Sequence, residues 1–362
     1  MTTLRRLLSG CLVASTIVVA GATASLAQET LIFGNSNPAG LNIGMSPFYY
    51  AEEMGFFTEE GLKIEYVNFN GGAVLDPQVA NKSVDVGWQG PDSLIISHDE
   101  GNDALPVEFF YNHLRKYVWE IAVPASGPIK ELKDLKGTKI GVNSLTTTSI
   151  TTTKSMLRAI GLDPEKDVSF IAVGMGAPAF HALQSGQVDA LNLFDTMHVM
   201  LANTGLEIRR IGFPPEYEQL FDNSFMTNPD NLTAKRKQLV GFGRAIAKAT
   251  VGCYANLPAC IQIAWKLNPK LKPADKSDEQ AMKEATAVLE ARGGSYAYFP
   301  GDDKRWGAFT DEMWTSRIKV LHENAILKSA EMDIGGFYTN DLVDEMNAFD
   351  ANAVIAQAKA LK

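Results

Sequence analysis

The chain has 362 residues, 46% of them hydrophobic and 21% charged, and its formal charge is −9. An acidic chain with no basic tail lacks the electrostatic footprint of a nucleic-acid binder, which argues against that class of partner. The length exceeds what one hydrophobic core ordinarily serves, so two lobes are expected.

The first 27 residues read as an export signal. Arg5 and Arg6 form a basic start, an uncharged apolar stretch runs from Cys11 to Ala24, and Ser25-Leu26-Ala27 places small residues where a leader is cleaved. The mature chain is expected to begin near Gln28 and to work in the periplasm, because the apolar stretch is too short to cross a bilayer. Leu8-Ser9-Gly10-Cys11 also matches the box that precedes a lipidated cysteine. In a lipoprotein the apolar region precedes that cysteine, and here it follows, so no anchor is expected at Cys11. Loss of residues 1–27 removes two arginines and takes the formal charge from −9 to −11. Cys253 and Cys260 then remain, either as a local disulfide or as two buried thiols on neighbouring helices.

Strands and helices alternate along the chain. Residues 30–33 and 63–69 read as strands around a helix that Ser46-Pro47 opens and Gly55 closes, with Pro in the first turn and Gly past the end. Residues 84–88 read as the next strand, and Gly90-Pro91-Asp92 starts a helix through Ile96. Residues 118–123 form an extended apolar segment ending at Pro124, and the turn-rich stretch 132–137 leads to a strand at 139–142. This is the predicted crossing into a second lobe. A helix over 148–160 follows, ended by Gly161 before Asp163-Pro164, then a strand at 168–173, a helix at 177–186 and a strand at 188–193. Such alternation predicts a mostly parallel sheet covered on both faces. After Phe225 the pattern is helical, clearest at 235–254, 258–267, 278–289 and 306–321, and these helices are expected to return to the first lobe. The predicted organisation is lobe I over 28–123 and 225–362, with lobe II over 124–224.

Four stretches carry a resemblance. They are Pro47-Phe48-Tyr49-Tyr50-Ala51-Glu52-Glu53-Met54-Gly55-Phe56-Phe57 with Glu60-Gly61-Leu62-Lys63-Ile64 behind it; residues 81–87, with Val84-Asp85-Val86-Gly87; Asp134-Leu135-Lys136-Gly137-Thr138-Lys139-Ile140-Gly141-Val142; and Ala182-Leu183-Gln184-Ser185-Gly186-Gln187-Val188-Asp189-Ala190. Each is common alone; in this order across about 160 residues they resemble the nitrate/sulfonate/bicarbonate and thiamine-pyrimidine-precursor group of solute-binding proteins. The resemblance fades after residue 225. It implies an α/β, two-lobed periplasmic-binding-protein (type II) fold with a two-segment hinge and a ligand cleft between the lobes. It further implies a monomeric extracytoplasmic receptor of an ABC importer, with an inner-membrane permease as partner, no cofactor and no chemistry on the ligand. Two alternatives share the fold. One is a receptor that hands its ligand to a signalling partner; the other is a pyrimidine-synthesising enzyme, whose cytosolic setting and cysteine cluster this chain does not match.

Ligands of open α/β sheets bind beyond the carboxyl ends of the strands. After the strand at 139–142, Thr146, Thr147 and Thr148 stand at a helix start, where free N–H groups, the positive helix end and hydroxyls converge on an acceptor. One of them capping the helix is the plainer alternative. Facing them, the loop from Asn37 to Met45 follows the first strand, Gly72 follows the second, and Trp88 and Gln89 end the third. Gln89 both donates and accepts, and Trp88 offers an apolar wall with one N–H, unless Gly72 only turns and Trp88 is core. Asn112 is a candidate for the cleft floor or a loop cap. Asp195 ends a strand at the cleft edge, where it accepts from a ligand or caps the next helix; relatives often carry an acidic residue and proline nearby, whereas this chain has Asp195-Thr196. The expected ligand is a small organic acid or a polar heterocycle, flat body against aromatic side chains. Enzyme signatures such as His-Glu-x-x-His, Gly-x-Ser-x-Gly and the phosphate-binding glycine loops are missing, and His98, His113, His181, His198 and His322 are scattered without metal-ligand spacing, so neither catalytic nor metal residues are expected.

Overall fold

The computed structural model describes residues 28–147, 149–297, 299 and 303–361. The export signal, Cys11 and Thr148 lie outside the described residues.

Ten strands follow in chain order: β1 (Glu29–Asn35), β2 (Leu62–Asn68), β3 (Val86–Gln89), β4 (Glu108–Tyr111), β5 (Trp119–Pro124), β6 (Thr138–Val142), β7 (Val168–Ala172), β8 (Ala190–Phe194), β9 (Ile208–Ile211) and β10 (Ser224–Thr227). They form two five-stranded sheets, ordered β2-β1-β3-β10-β4 and β7-β6-β8-β5-β9. The helices that position the site are α1 (Ser46–Glu53), α2 (Gly72–Ala80), α3 (Asp92–Ser97), α4 (Ser149–Ala159), α5 (Ala177–Gln184), α6 (Asp195–Ala202), α7 (Arg236–Ala255), α8 (Leu257–Leu267), α9 (Asp278–Tyr296) and α10 (Asp311–Glu323).

Local chemistry explains the first unit. Pro47 sits in the first turn of α1, where its missing N–H is no loss, and Gly55 takes φ 75° to end the helix. β1 then lies parallel to β2 and β3. In the second sheet β6 is parallel to β7 and β8 in the same way. Neither sheet is mostly parallel, as the alternation suggested. β5 runs antiparallel to β8 and β9, and β10 runs antiparallel to β3 and β4, so each sheet is mixed.

β5 also corrects the expected lobe boundary at 123/124. It belongs to the second sheet, so the first crossing occupies 112–118 and the second 212–223. The crossings are tied together: Asp222 N–H donates to the Leu114 carbonyl (2.7 Å), Leu114 N–H to the Asn223 carbonyl (3.0 Å), and Val118 N–H to Asp222 Oδ2 (3.2 Å).

The return segment builds the first core. Phe33 of β1 packs between Phe48 of α1 and Phe242 of α7, with Phe225 of β10 beside them, in one cluster that includes Ile246, Ile261 and Leu289. Full burial of each such side chain contributes about 1.5–3 kcal/mol. The return helices also reach the other lobe: α9 packs on α6, and α10 on α4. The expected helix at 306–321 begins only at Asp311, because Gly307 takes φ 87° and Thr310 caps the helix by accepting from Met313 N–H. Cys253 and Cys260 are joined by a disulfide, Cα to Cα 5.0 Å, across the turn from α7 to α8. Among the described residues no helix is long and apolar enough to cross a membrane.

Candidate functional site

The carboxyl ends of β1 and β3 face those of β6, β7 and β8 across one cleft, into which both crossings also run. About 540 Å³ there is not filled by protein atoms, part of it open to solvent. The first lobe contributes Ser36, Asn37, Asn42 and Met45 from the loop after β1, and Trp88 and Gln89 from β3. The second contributes Asn143 after β6, Thr147 before α4, Met175 after β7 and Phe194 of β8. Leu114, Val118, Trp119, Asp222 and Asn223 come from the crossings or their ends, and Arg292 from α9.

Most polar wall groups are held by short-range bonds. Asn37 Oδ1 accepts from Ala39 N–H (2.9 Å) and Asn42 Oδ1 from Gly44 N–H (2.8 Å), which leaves their amide NH2 groups as donors. Gln89 Oε1 accepts from Gly90 N–H (3.1 Å). Thr147 shares a hydrogen bond with Ser149 at the α4 start (3.2 Å). Asn143 Oδ1 is buried with no partner among the described residues, an acceptor available to a bound molecule.

Trp88 is 7% exposed, and its indole N–H donates to His113 Nδ1 (3.0 Å), so it shows the cleft an apolar face and no donor. His113 is enclosed by Phe48, Phe225 and Tyr296, and burial, with Arg292 nearby, holds its pKa well below the ordinary value. It is therefore neutral, with its proton on Nε2. Asp222 accepts from the Val118 and Asn223 backbone N–H groups, and burial raises its pKa despite them and Arg317.

The lobes touch directly. Thr146 Oγ1 donates to the Asn70 carbonyl (2.7 Å), and a Cβ on Gly71 would lie 2.8 Å from the Thr146 carbonyl oxygen. Gly44 approaches Thr196 as closely, where an added Cβ would meet Thr196 Cγ2 at 2.9 Å. Thr152 of α4 donates to Asp92 of α3 (2.7 Å), and Arg317 of α10 bonds both Asp92 and Thr152. Arg292 of α9 meets Asp195 of α6, with Nε 3.1 Å from Oδ2 and Nη2 on Oδ1. Burial alone would lower the Arg292 pKa; the Asp195 carboxylate raises it on balance, so the guanidinium stays charged.

Of the residues singled out in the sequence, Asn37, Met45, Trp88, Gln89 and Thr147 line this cleft. Gly72 does not; it opens α2, and its neighbour Gly71 makes the close approach. Asn112 is tied to the loop before α10, donating to the Ala308 carbonyl (3.3 Å). Thr146 joins the lobes, and Asp195 stands behind Arg292. Sequence reasoning passed over Asn143 and Phe194, although both stand at strand ends where the carboxyl-end rule points. Arg292, in the middle of a helix, carries no local signal. Among the described residues no group of three or more His, Cys, Asp or Glu side chains is placed to hold a metal ion.

A family model described as NMT1/THI5 like matches residues 42–257, more than half of the chain. No curated protein matches. Among solved structures, a protein from Bordetella bronchiseptica RB50 is similar with TM-score 0.68 and 23% identity, over 89% of this chain and 98% of its own. The alkanesulfonate-binding protein SsuA from Xanthomonas axonopodis pv. citri, bound to MOPS, is similar with TM-score 0.65 and 15% identity, over 86% of this chain and 100% of its own. A conserved Candida albicans gene product described as exhibiting the generic periplasmic binding protein structural fold has TM-score 0.61 and 18% identity, over 86% and 96%. The two mixed sheets with flanking helices are that fold.

Proposed function

We propose, for a chain that belongs to the NMT1/THI5-like family, the role of solute receptor to an ABC importer. In this reading the exported, monomeric protein closes its lobes on one small molecule in the periplasm and delivers it unchanged to a permease in the inner membrane. The observation that carries it is a cleft walled by both lobes and both crossings, so that a bound molecule touches every part that moves when the lobes part.

The ligand is a flat polar heterocycle. Trp88, Trp119 and Phe194 supply aromatic faces, and Asn37, Asn42, Asn143, Gln89 and Asn223 supply amides, the groups that match ring nitrogens, carbonyls and amino substituents. Of the two classes suggested by the sequence, a small organic acid fits less well, because the wall's one cation among the described residues, Arg292, already holds a carboxylate. Binding without turnover is supported by a wall whose polar groups are mostly amides and hydroxyls, with the Arg292 guanidinium held by Asp195 and the His113 Nδ1 held by the Trp88 indole.

A thermal-shift screen of pyrimidines, pyridines and purines on residues 28–362 tests this. A compound present at 100 times its Kd adds about 2.7 kcal/mol of stability. The expected hit binds one to one and is recovered intact. Conversion of the compound, or stabilisation that survives filling of the cleft by Asn143→Trp, would overturn the reading.

A further inference from the structure

Arg292 is the cation of the cleft wall among the described residues, and Asp195, behind it and outside the lining, holds its guanidinium. Arg292 belongs to the return segment and lines the cleft; Asp195 opens α6 in the second lobe; they are 3% and 8% exposed. The guanidinium presents Nε and Nη2 to the two carboxylate oxygens, and Nη2 also reaches Thr196 Oγ1 (3.4 Å). Asp195 Oδ1 accepts as well from Thr196 N–H (2.6 Å), which fixes the carboxylate at the helix start. A planar guanidinium fork is the group that recognises carboxylates and similar oxyanions two bonds at a time. In this protein that fork is filled from within.

We infer that Asp195 is a built-in counter-ion that engages the cleft's guanidinium from behind in place of a bound oxyanion, and so sets the receptor's selectivity against small anions. The inference rests on the cleft being the ligand site. An incoming oxyanion has two routes to Arg292, and both are unfavourable. It must displace Asp195 and leave a buried carboxylate unpaired, or share the guanidinium with it at like-charge distance. The remaining acidic group of the wall among the described residues, Asp222, has its oxygens on backbone N–H groups, so it adds no attraction for an anion. Removing the Asp195 carboxylate while keeping Arg292 should therefore convert a site that ignores small anions into one that takes them.

The test uses Asp195→Ser, which opens room for an oxyanion, and Asp195→Asn, which keeps the side-chain shape. Sodium nitrate, formate and methanesulfonate at matched ionic strength serve as probes, read by thermal shift and calorimetry. The wild type should show no saturable response, and at least one variant should bind a probe at least tenfold more tightly, an effect abolished by adding Arg292→Gln. If a variant folds only with an anion present, circular dichroism at graded probe concentration reports the same gain. Equal anion binding by wild type and variants, or folded variants without any gain, would overturn the counter-ion role while leaving the heterocycle screen unaffected. A gain that persists when Asn143→Trp fills the cleft would place the anion elsewhere, and then the reading of the cleft fails with it.

Discussion

Behind the cleft-lining Gln89 lies Asp76 of α2, a buried carboxyl against Gln89 and Ser93. Burial pushes its pKa up to about 7, although hydrogen bonds from Ser93 and Gln89 pull the other way. Between about pH 4 and 7 the folded protein holds a proton that the unfolded chain releases, so this group's contribution is greatest below pH 4 and is lost as pH rises to about 7. Asp76→Asn removes that dependence. Urea unfolding should show the variant gaining on the wild type by a few kcal/mol between pH 4 and 7, with no further change above pH 8; parallel curves would dismiss the raised pKa. At this scale the site was legible in part from the ends of strands: Gln89 closes β3, and Asn37 and Thr147 lie in the loops after β1 and β6, while Asn143, next to β6, was passed over. Arg292 and Asp195 are 97 positions apart, and Asp222 reaches Val118 over 104, pairings set by how the lobes meet and by nothing in the local pattern.

Gly71 and the Cys253–Cys260 bridge carry the predictions for elements. Gly71 takes φ 90°, ends the loop before α2, and leaves no space for a Cβ against the Thr146 carbonyl. Gly71→Ala adds backbone strain of about 1–3 kcal/mol at a positive-φ conformation that only glycine adopts readily, and a clash present only when the lobes touch. The hit compound should bind about tenfold more weakly, with secondary structure unchanged by circular dichroism; unaltered affinity would mean that lobe contact at this point is not needed. The disulfide closes a short loop between α7 and α8, so replacing both cysteines by serine should lower stability by about 2 kcal/mol in chemical denaturation. A loss below a few tenths of a kcal/mol would show that Asn256, which caps α8 and holds the Ala358 carbonyl, fixes the turn alone. Helices with clear ends were legible from sequence, as Pro47 and Gly55 bracket α1. Trp306 read as helical through its apolar spacing, but Gly307 and the Thr310 cap delay α10 to Asp311. β4, β9 and β10 are four-residue strands, too short for alternation to mark.

For the whole molecule, alternating strands and helices and four ordered stretches of resemblance were enough to expect two lobes with a cleft. They were not enough to locate the crossing, because β5 reads like any extended apolar strand and its sheet is decided by pairing with β8 and β9, far along the chain. Nor does local sequence say that α9 and α10 reach the second lobe, where Arg292 and Arg317 make buried contacts across the interface. Those contacts give the closed arrangement its own polar interface around the cleft, and a ligand adds to it from inside. The central claim is that this cleft binds one small molecule and releases it unchanged. The direct measurement is calorimetric titration of purified residues 28–362 with the screened heterocycle, followed by chromatographic recovery of the bound compound. The account predicts saturation at one molecule per chain, recovery of the same compound, and loss of binding in Asn143→Trp; a chemically altered product, or binding undiminished in that variant, would contradict it.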